Sequence, residues 1–369
     1  MVDDFSPQER ARARAYHRPR YLALLADAAL GAAVLAALAW SPLGRWLYGP
    51  LRPLPPAAAA AAYAALAVVL AGFVRAPLGC WRDWWRERRW GFSTQAARGW
   101  LADSSKGLAL SALLAATGWA CAVELARLLP GWWALPVGAA LSLAVLAFSF
   151  LGPVVLEPRF NRFRPLEDGA LAAELRTLAA RAGTPVREVL VADASRRTRK
   201  VNAYVSGLGR TRRLVLFDTL LEAADPALLQ VVVAHELGHR RERHLGKGTL
   251  LGMAGAAVGV AALWAALGVR VGRPAAAPEA FLLLLALQLA GAPAGAWLSR
   301  RWERAADRCS LDLTRAPEAF ARTHLELARR NLADLEPPRL AYLLLFGHPT
   351  PPERLALGRA WSEAQAPSA

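Results

Sequence analysis

Six stretches of about twenty mostly apolar residues divide this 369-residue chain, and each is long enough to cross a bilayer as a helix. They run roughly over residues 21–40, 57–74, 107–125, 132–151, 248–269 and 280–299. Backbone groups in hydrocarbon must pair among themselves, so repeated crossings of this kind predict a helical multi-pass membrane protein. The first stretch follows basic residues as a signal peptide would, but the chain keeps returning to the membrane, which makes it a retained anchor. Asp27 falls inside it. A charge costs about 3 kcal/mol at mid-bilayer, so Asp27 is expected to face other helices or to lie shallow.

The net charge of +16 comes almost entirely from arginine, because lysine occurs only at Lys106, Lys200 and Lys247. The arginines are sorted by loop. Arg10, Arg12, Arg14, Arg18 and Arg20 precede the first span, and Arg75, Arg82, Arg86, Arg88, Arg89 and Arg98 fill the second loop. The first loop has only Arg45 and Arg52, the third only Arg127, and the fifth only Arg270 and Arg273. This alternation is the positive-inside pattern with both termini cytoplasmic, and it puts segment 157–247 and the tail after Arg300 on that side. Arginines at an interface also hold anionic lipid, so the basicity asks for a bilayer as partner and for no nucleic acid. Cys80, Cys121 and Cys309 are too few and too scattered for a disulfide framework or a thiolate metal site.

Between the fourth and fifth spans, Leu171, Leu175 and Leu178 recur at helical spacing within 168–182. Short β-rich runs follow at 188–193, 201–207 and 214–217, which predict a small antiparallel sheet. Asp225-Pro226 is a helix start, an N-cap residue with proline at the first helical position, and that helix is expected to continue towards Lys247. The expected organisation is a membrane region of four spans over residues 1–156 and a second part over 157–369 that includes the last two spans.

The predicted helix carries His235-Glu236-Leu237-Gly238-His239. Two histidines four apart project from one helical face, one turn apart, so both rings can reach one metal ion. The acid beside the first suits a base acting on metal-bound water, the zinc-peptidase reading of HExxH. Catalytic zinc usually takes three protein ligands, and the downstream candidates are His244, Glu303, Asp307, Asp312, His324 and His348. Glu303 with Asp307 is the best pair, since their spacing puts both carboxylates on one helical face, Glu303 to ligate and Asp307 to orient a ligand. His239 precedes the fifth span by about 14 Å of helix and Glu303 follows the sixth by about 6 Å. Both sets therefore emerge near the same membrane surface.

In these residues the chain resembles the type I CAAX prenyl endopeptidases, membrane HExxH zinc peptidases. The likeness runs through Gly91-Phe92-Ser93-Thr94-Gln95, Phe160-Asn161-Arg162-Phe163 with Pro165-Leu166, and Asp193-Ala194-Ser195-Arg196. It continues through Asn202-Ala203-Tyr204, Gly207-Leu208-Gly209, Leu216-Phe217-Asp218-Thr219-Leu220 and the HExxH with His244. Glu303 with Asp307, His348-Pro349 and Glu353-Arg354 complete it. The resemblance implies a gluzincin-like domain binding one zinc ion through His235, His239 and Glu303, with Glu236 as general base. It implies that Asn202, Ala203 and Tyr204 lie where a substrate peptide adds as an extra strand, and that His348 and Arg354 stabilise the oxyanion. Those relatives have seven spans, five of them before the HExxH, against six and four read here.

The sequence therefore predicts a membrane zinc metalloendopeptidase acting on a peptide or membrane-protein substrate, prenylated where the resemblance extends that far. A second reading keeps the chemistry for quality control of membrane proteins, as in the heat-shock membrane peptidases. A third, a non-catalytic scaffold, leaves the complete ligand set without a purpose.

Overall fold

The structure, a computed structural model, describes residues 4–152, 161–207, 212–223 and 225–366. Numbering the longer helices in chain order, α1 (Pro7–Trp40), α2 (Pro56–Cys80), α3 (Ala97–Leu128) and α4 (Ala134–Leu151) come first. In the polar segment lie α5 (Gly169–Arg181) and α6 (Pro226–Arg241). Then follow α7 (His244–Leu267), α8 (Ala277–Thr314), α9 (Pro317–Arg330) and α10 (Pro351–Gln365). Among the described residues, α1 to α4, α7 and α8, with the turns that extend them, are the six helices long and apolar enough to cross a membrane. Each contains or closely matches one apolar stretch of the sequence. Leu22, Phe73, Leu113 and Leu143 stand 60–76% exposed on them, as side chains facing lipid would.

Sequence-local signals place the helix ends. Ser6 and Glu9 form a capping box that opens α1 with Pro7 in its first turn. Alanines at 59, 60, 64 and 67 are at most 1% exposed on α2, and such small residues let helix backbones approach closely. Asp27 is buried between spans, where Arg75 of α2 donates to both of its carboxylate oxygens. It faces another helix, as its cost in hydrocarbon requires.

The residues before the first apolar stretch are helical and lie against the second half of the chain. The Tyr16 hydroxyl accepts from Lys200 Nζ at 3.0 Å, and the Tyr21 hydroxyl donates to Asp334 at 2.6 Å. A ring nitrogen of His17 meets the Leu332 carbonyl at 2.7 Å.

The sheet has four strands, β1 (Phe163–Pro165), β2 (Glu188–Ala192), β3 (Ala203–Ser206) and β4 (Arg213–Phe217), in the order β1-β2-β4-β3. It is mixed, not antiparallel as expected, because β2 runs parallel to β4 with Leu190 opposite Val215. The chain from 193 to 202 leaves the sheet through a short helical turn at Ala194–Arg196, and β3 returns at the far edge. After Glu188 and Arg213 the two central strands are apolar, with Leu214, Val215 and Leu216 fully buried, as strands covered on both faces must be. Leu175 of α5 and Val233 and Leu237 of α6 pack with Leu214 and Leu216 in one core.

Asp225 caps α6 by accepting from the Leu228 amide, with Pro226 in the first turn as expected. The helix does not reach Lys247. It stops at Arg241, and Arg243 takes a left-handed backbone (φ 56°) before α7 starts at His244. Few non-glycine residues adopt that conformation. The break turns the chain into the membrane and brings His244 back over the preceding helix. Of the sequence blocks above, Phe160, Leu208 and Gly209 lie outside the described residues, as does the expected boundary at 156/157.

Candidate metal centre

His235 and His239 project from one face of α6, their ring centroids 4.8 Å apart, and Glu303 of α8 meets both. The two Nε2 atoms are 3.1 Å apart, and the Glu303 oxygens lie 3.3 Å from that of His235 and 3.2 Å from that of His239. α8 comes this close because Gly238 has no side chain. A Cβ there would lie 3.0 Å from the Ala306 Cα and 3.0 Å from the Cys309 Cβ.

A layer of further groups holds the three. Asp307 is fully buried one turn beyond Glu303, and its Oδ1 lies 2.8 Å from Nδ1 of His235, off the line of a good hydrogen bond. Arg354 donates to Glu303 at 2.7 Å and to Asp307 at 2.8 Å, bridging the two acids. Its placement is local in origin. Thr350 and Glu353 form a capping box that opens α10, so Arg354 points back from the first turn. Nδ1 of His348 lies 2.7 Å from Glu303, and its loop is anchored by the buried Arg300, which donates to the carbonyls of Tyr342 and Phe346. On the other side, His239 meets His244 at 3.0 Å between Nδ1 atoms, and the His244 ring stacks on Trp302 at 5.0 Å.

Burial shapes the electrostatics. It opposes a charge on His235, yet Asp307, by charge and contact, and Glu303 raise the imidazole to about 10. Burial raises the Glu236 carboxyl above its ordinary value, against the pull of His235 and His239. His324 of α9, with Nε2 3.8 Å from Asp307, is lowered to about 3 by burial and by the Arg354 charge.

Glu236, Asn202, Ala203 and Arg354 line a small cavity of about 160 Å³ at the cluster. A wider cleft of about 540 Å³, bounded by α1, α9 and the His348 loop, adjoins it and shares His324, Asn331 and Arg354. The Asn202 carbonyl accepts from the Phe217 amide at 3.1 Å, and its side chain accepts from the Ala203 amide at 2.9 Å. Tyr204 turns its ring to the opposite face of the sheet, against Phe217 at 6.4 Å.

Of the six downstream candidates, Glu303, Asp307, His348, His244 and His324 converge here. Asp312 does not, since it accepts from the Trp361 indole at 2.9 Å. Sequence reasoning missed Asn331, whose side chain pairs with both backbone groups of Val201, at 3.1 and 3.3 Å, beside Asn202. No local signal marks it, because α9 brings it there from 130 residues away. The sequence blocks that carry the family resemblance also meet one another. The Thr94 hydroxyl donates to the Ser195 carbonyl at 2.8 Å, and Ser195 donates to Asp218 through its amide at 2.9 Å and its hydroxyl at 2.5 Å.

Known proteins match both halves of the chain. Residues 165–362 match peptidase family M48, and residues 1–162 match the family described as CAAX prenyl protease N-terminal, five membrane helices. The uncharacterized metalloprotease YhfN of Bacillus subtilis is 31% identical over 238 residues, which are 61% of this chain and 55% of that protein. CAAX prenyl protease 1 of Saccharomyces cerevisiae is 32% identical over 180 residues, 48% of this chain and 39% of that protein. The chain thus spans about half, or less, of the length of these relatives. The crystal structure of S. mikatae Ste24p superposes with a TM-score of 0.76 at 22% identity, covering 96% of this chain and 89% of that one, so the two share a fold. With six helices among the described residues apolar enough to cross a bilayer, and with the match to an N-terminal family of membrane helices, this is an integral multi-pass membrane protein. The match across more than half its length, over the segment that carries the histidine–glutamate cluster, means that the chain belongs to peptidase family M48.

Proposed function

We propose that the chain is a membrane-embedded zinc metalloendopeptidase, with residues 157–369 as its catalytic part on the cytoplasmic side. One observation carries this reading. A tetrahedron with metal–ligand bonds of about 2.0–2.1 Å has edges of about 3.3 Å. The Nε2 atoms of His235 and His239 are 3.1 Å apart, each has its own Glu303 oxygen at 3.3 or 3.2 Å, and one ligand atom from each of the three residues lies within 4.8 Å of the others, an N₂O donor set that suits zinc. Held there, one zinc ion would polarise the scissile carbonyl and make water a stronger acid.

The remaining work belongs to the chain's own groups. Glu236 takes the proton of the attacking water and returns it to the leaving amine, a task its raised pKa suits. Asp307 fixes the His235 ring, and Arg354 fixes Asp307 and Glu303 together. His348 and Arg354 direct N–H donors at the developing oxyanion. A peptide lies along β3, at the edge of the sheet, where Asn202 and Ala203 border the cavity and Tyr204 contributes only backbone.

The relatives named as CAAX prenyl proteases support a prenylated C-terminal peptide as substrate. Mass-spectrometric mapping of cleavage in a farnesylated CAAX peptide and its unmodified twin tests this. Cleavage of the farnesylated peptide that a chelator abolishes is expected. Equal cleavage of both removes the prenyl requirement, and no cleavage of any peptide by the zinc-loaded protein sinks the enzyme reading.

A further inference from the structure

Where α7 enters the membrane and α8 leaves it, the two helices flank an open groove of about 1020 Å³ that shares no lining residue with the cavity at the metal centre. Its lining changes character along the helix axes. Leu250 and Leu251 on α7 and Trp297 on α8 form the end nearer mid-membrane, and they are 66%, 49% and 54% exposed. One turn further out stand Lys247 on α7 and Arg301 on α8, followed by Arg304 and Arg308. Four cations face one acid, Glu242. Lys247 reaches Glu242 only at 4.0 Å, and Arg304 reaches Glu353 at 3.9 Å. Arg301 and Arg308 make no ion pair among the described residues, and Arg301 lies 5.9 Å over the Trp297 ring. Positions 301, 304 and 308 share one helical face over about 10 Å.

We propose that this groove binds one anionic phospholipid, its phosphate held by Arg301, Arg308 and Lys247 and its acyl chains laid along Leu250, Leu251 and Trp297. The apolar-to-cationic order, read outward from mid-membrane, is that of the lipid itself. Zwitterionic headgroups carry their own cation and would leave the arginines uncompensated. A tryptophan under an arginine at this depth is the arrangement that anchors a protein at the headgroup level. Trp302 forms the back wall, stacked on His244, which in turn contacts His239. The bound lipid therefore sits two rings away from the metal cluster. This inference goes beyond the peptidase reading and does not depend on it.

Binding is measured on the full chain in an uncharged detergent, by titration with short-chain phosphatidylglycerol, short-chain phosphatidylcholine and inorganic phosphate. Saturable binding of phosphatidylglycerol is expected, at least about tenfold tighter than of the other two. Replacing both arginines, R301Q with R308Q, weakens it at least about tenfold, while R12Q with R18Q, on exposed arginines of α1 that do not line the groove, leaves it unchanged. Equal affinity for the two lipids, phosphate binding as tightly as phosphatidylglycerol, or equal losses in the two double variants would overturn the proposal. The readout is binding, so an inactive peptidase does not obscure it.

Discussion

Gly238 faces Ala306 so closely that a single methyl on the glycine would lie 3.0 Å from the Ala306 Cα. The glycine inside HExxH is therefore a contact surface as well as a spacer between histidines. It sets the distance between α6, which brings two imidazoles, and α8, which brings the carboxylate of Glu303.

Replacing Gly238 with alanine pushes α8 outward by a few tenths of an ångström, since backbone and a neighbouring Cβ are what the methyl meets. Overpacking of this kind costs about 1–3 kcal/mol. Because the displaced helix carries Glu303, zinc affinity should fall at least about tenfold, read by competition with a chromophoric chelator. Unchanged affinity in a folded G238A protein would show that the helix contact does not set the ligand geometry.

Glu236 borders the cavity but is outside the group of three ligand atoms. Its change to Gln keeps the shape and removes the base. Zinc content by elemental analysis should stay at one per chain, while peptide cleavage drops by about 10²–10⁴-fold. Turnover within a few-fold of the parent would remove Glu236 from the mechanism.

In the proposed mechanism Asp307 and Arg354 act through the metal ligands. Asp307→Asn leaves His235 facing an amide, and Arg354→Ala frees Glu303 from its 2.7 Å clamp. Losses of about 10–100-fold in metal affinity are expected for each, as for other groups that orient ligands. Since Arg354 bridges both acids, the double variant should lose much less than the product of the single losses. Full additivity of the two free energies would argue against a shared network.

Legibility in the sequence followed the range of the interactions. The six spans and the pairing of His235 with His239 rest on periodicity within one helix, and both were readable. Glu303 was reachable because two consecutive spans must surface on the same side. The parallel pairing of β2 with β4 departs from the expected antiparallel sheet, although residues 189–192 and 214–217 are apolar without alternation, a mark of strands covered on both faces. The end of α6 was also misread, for Arg243 carries no local sign of a left-handed backbone. His324 and Asn331 reach the cleft only through the way α9 folds back, which no local spacing encodes.

His324 offers a pH signature. Its imidazole sits at about 3 in the folded protein against 6.5 ordinarily, held neutral by burial and by the nearby Arg354 charge. A lowered value means that the unfolded chain binds the extra proton first. The group therefore leaves stability unaffected above about pH 6.5 and destabilises the fold as pH falls from there towards 3. By pH 5 the loss is about 2 kcal/mol, or less if water reaches the ring. Thermal unfolding of the detergent-solubilised protein at pH 7.5 and at pH 5 should show a steeper acid loss in the parent than in His324→Gln, whose amide does not titrate. Parallel losses in the two proteins would mean that the ring is already protonated in the fold, or that it is not buried against Arg354.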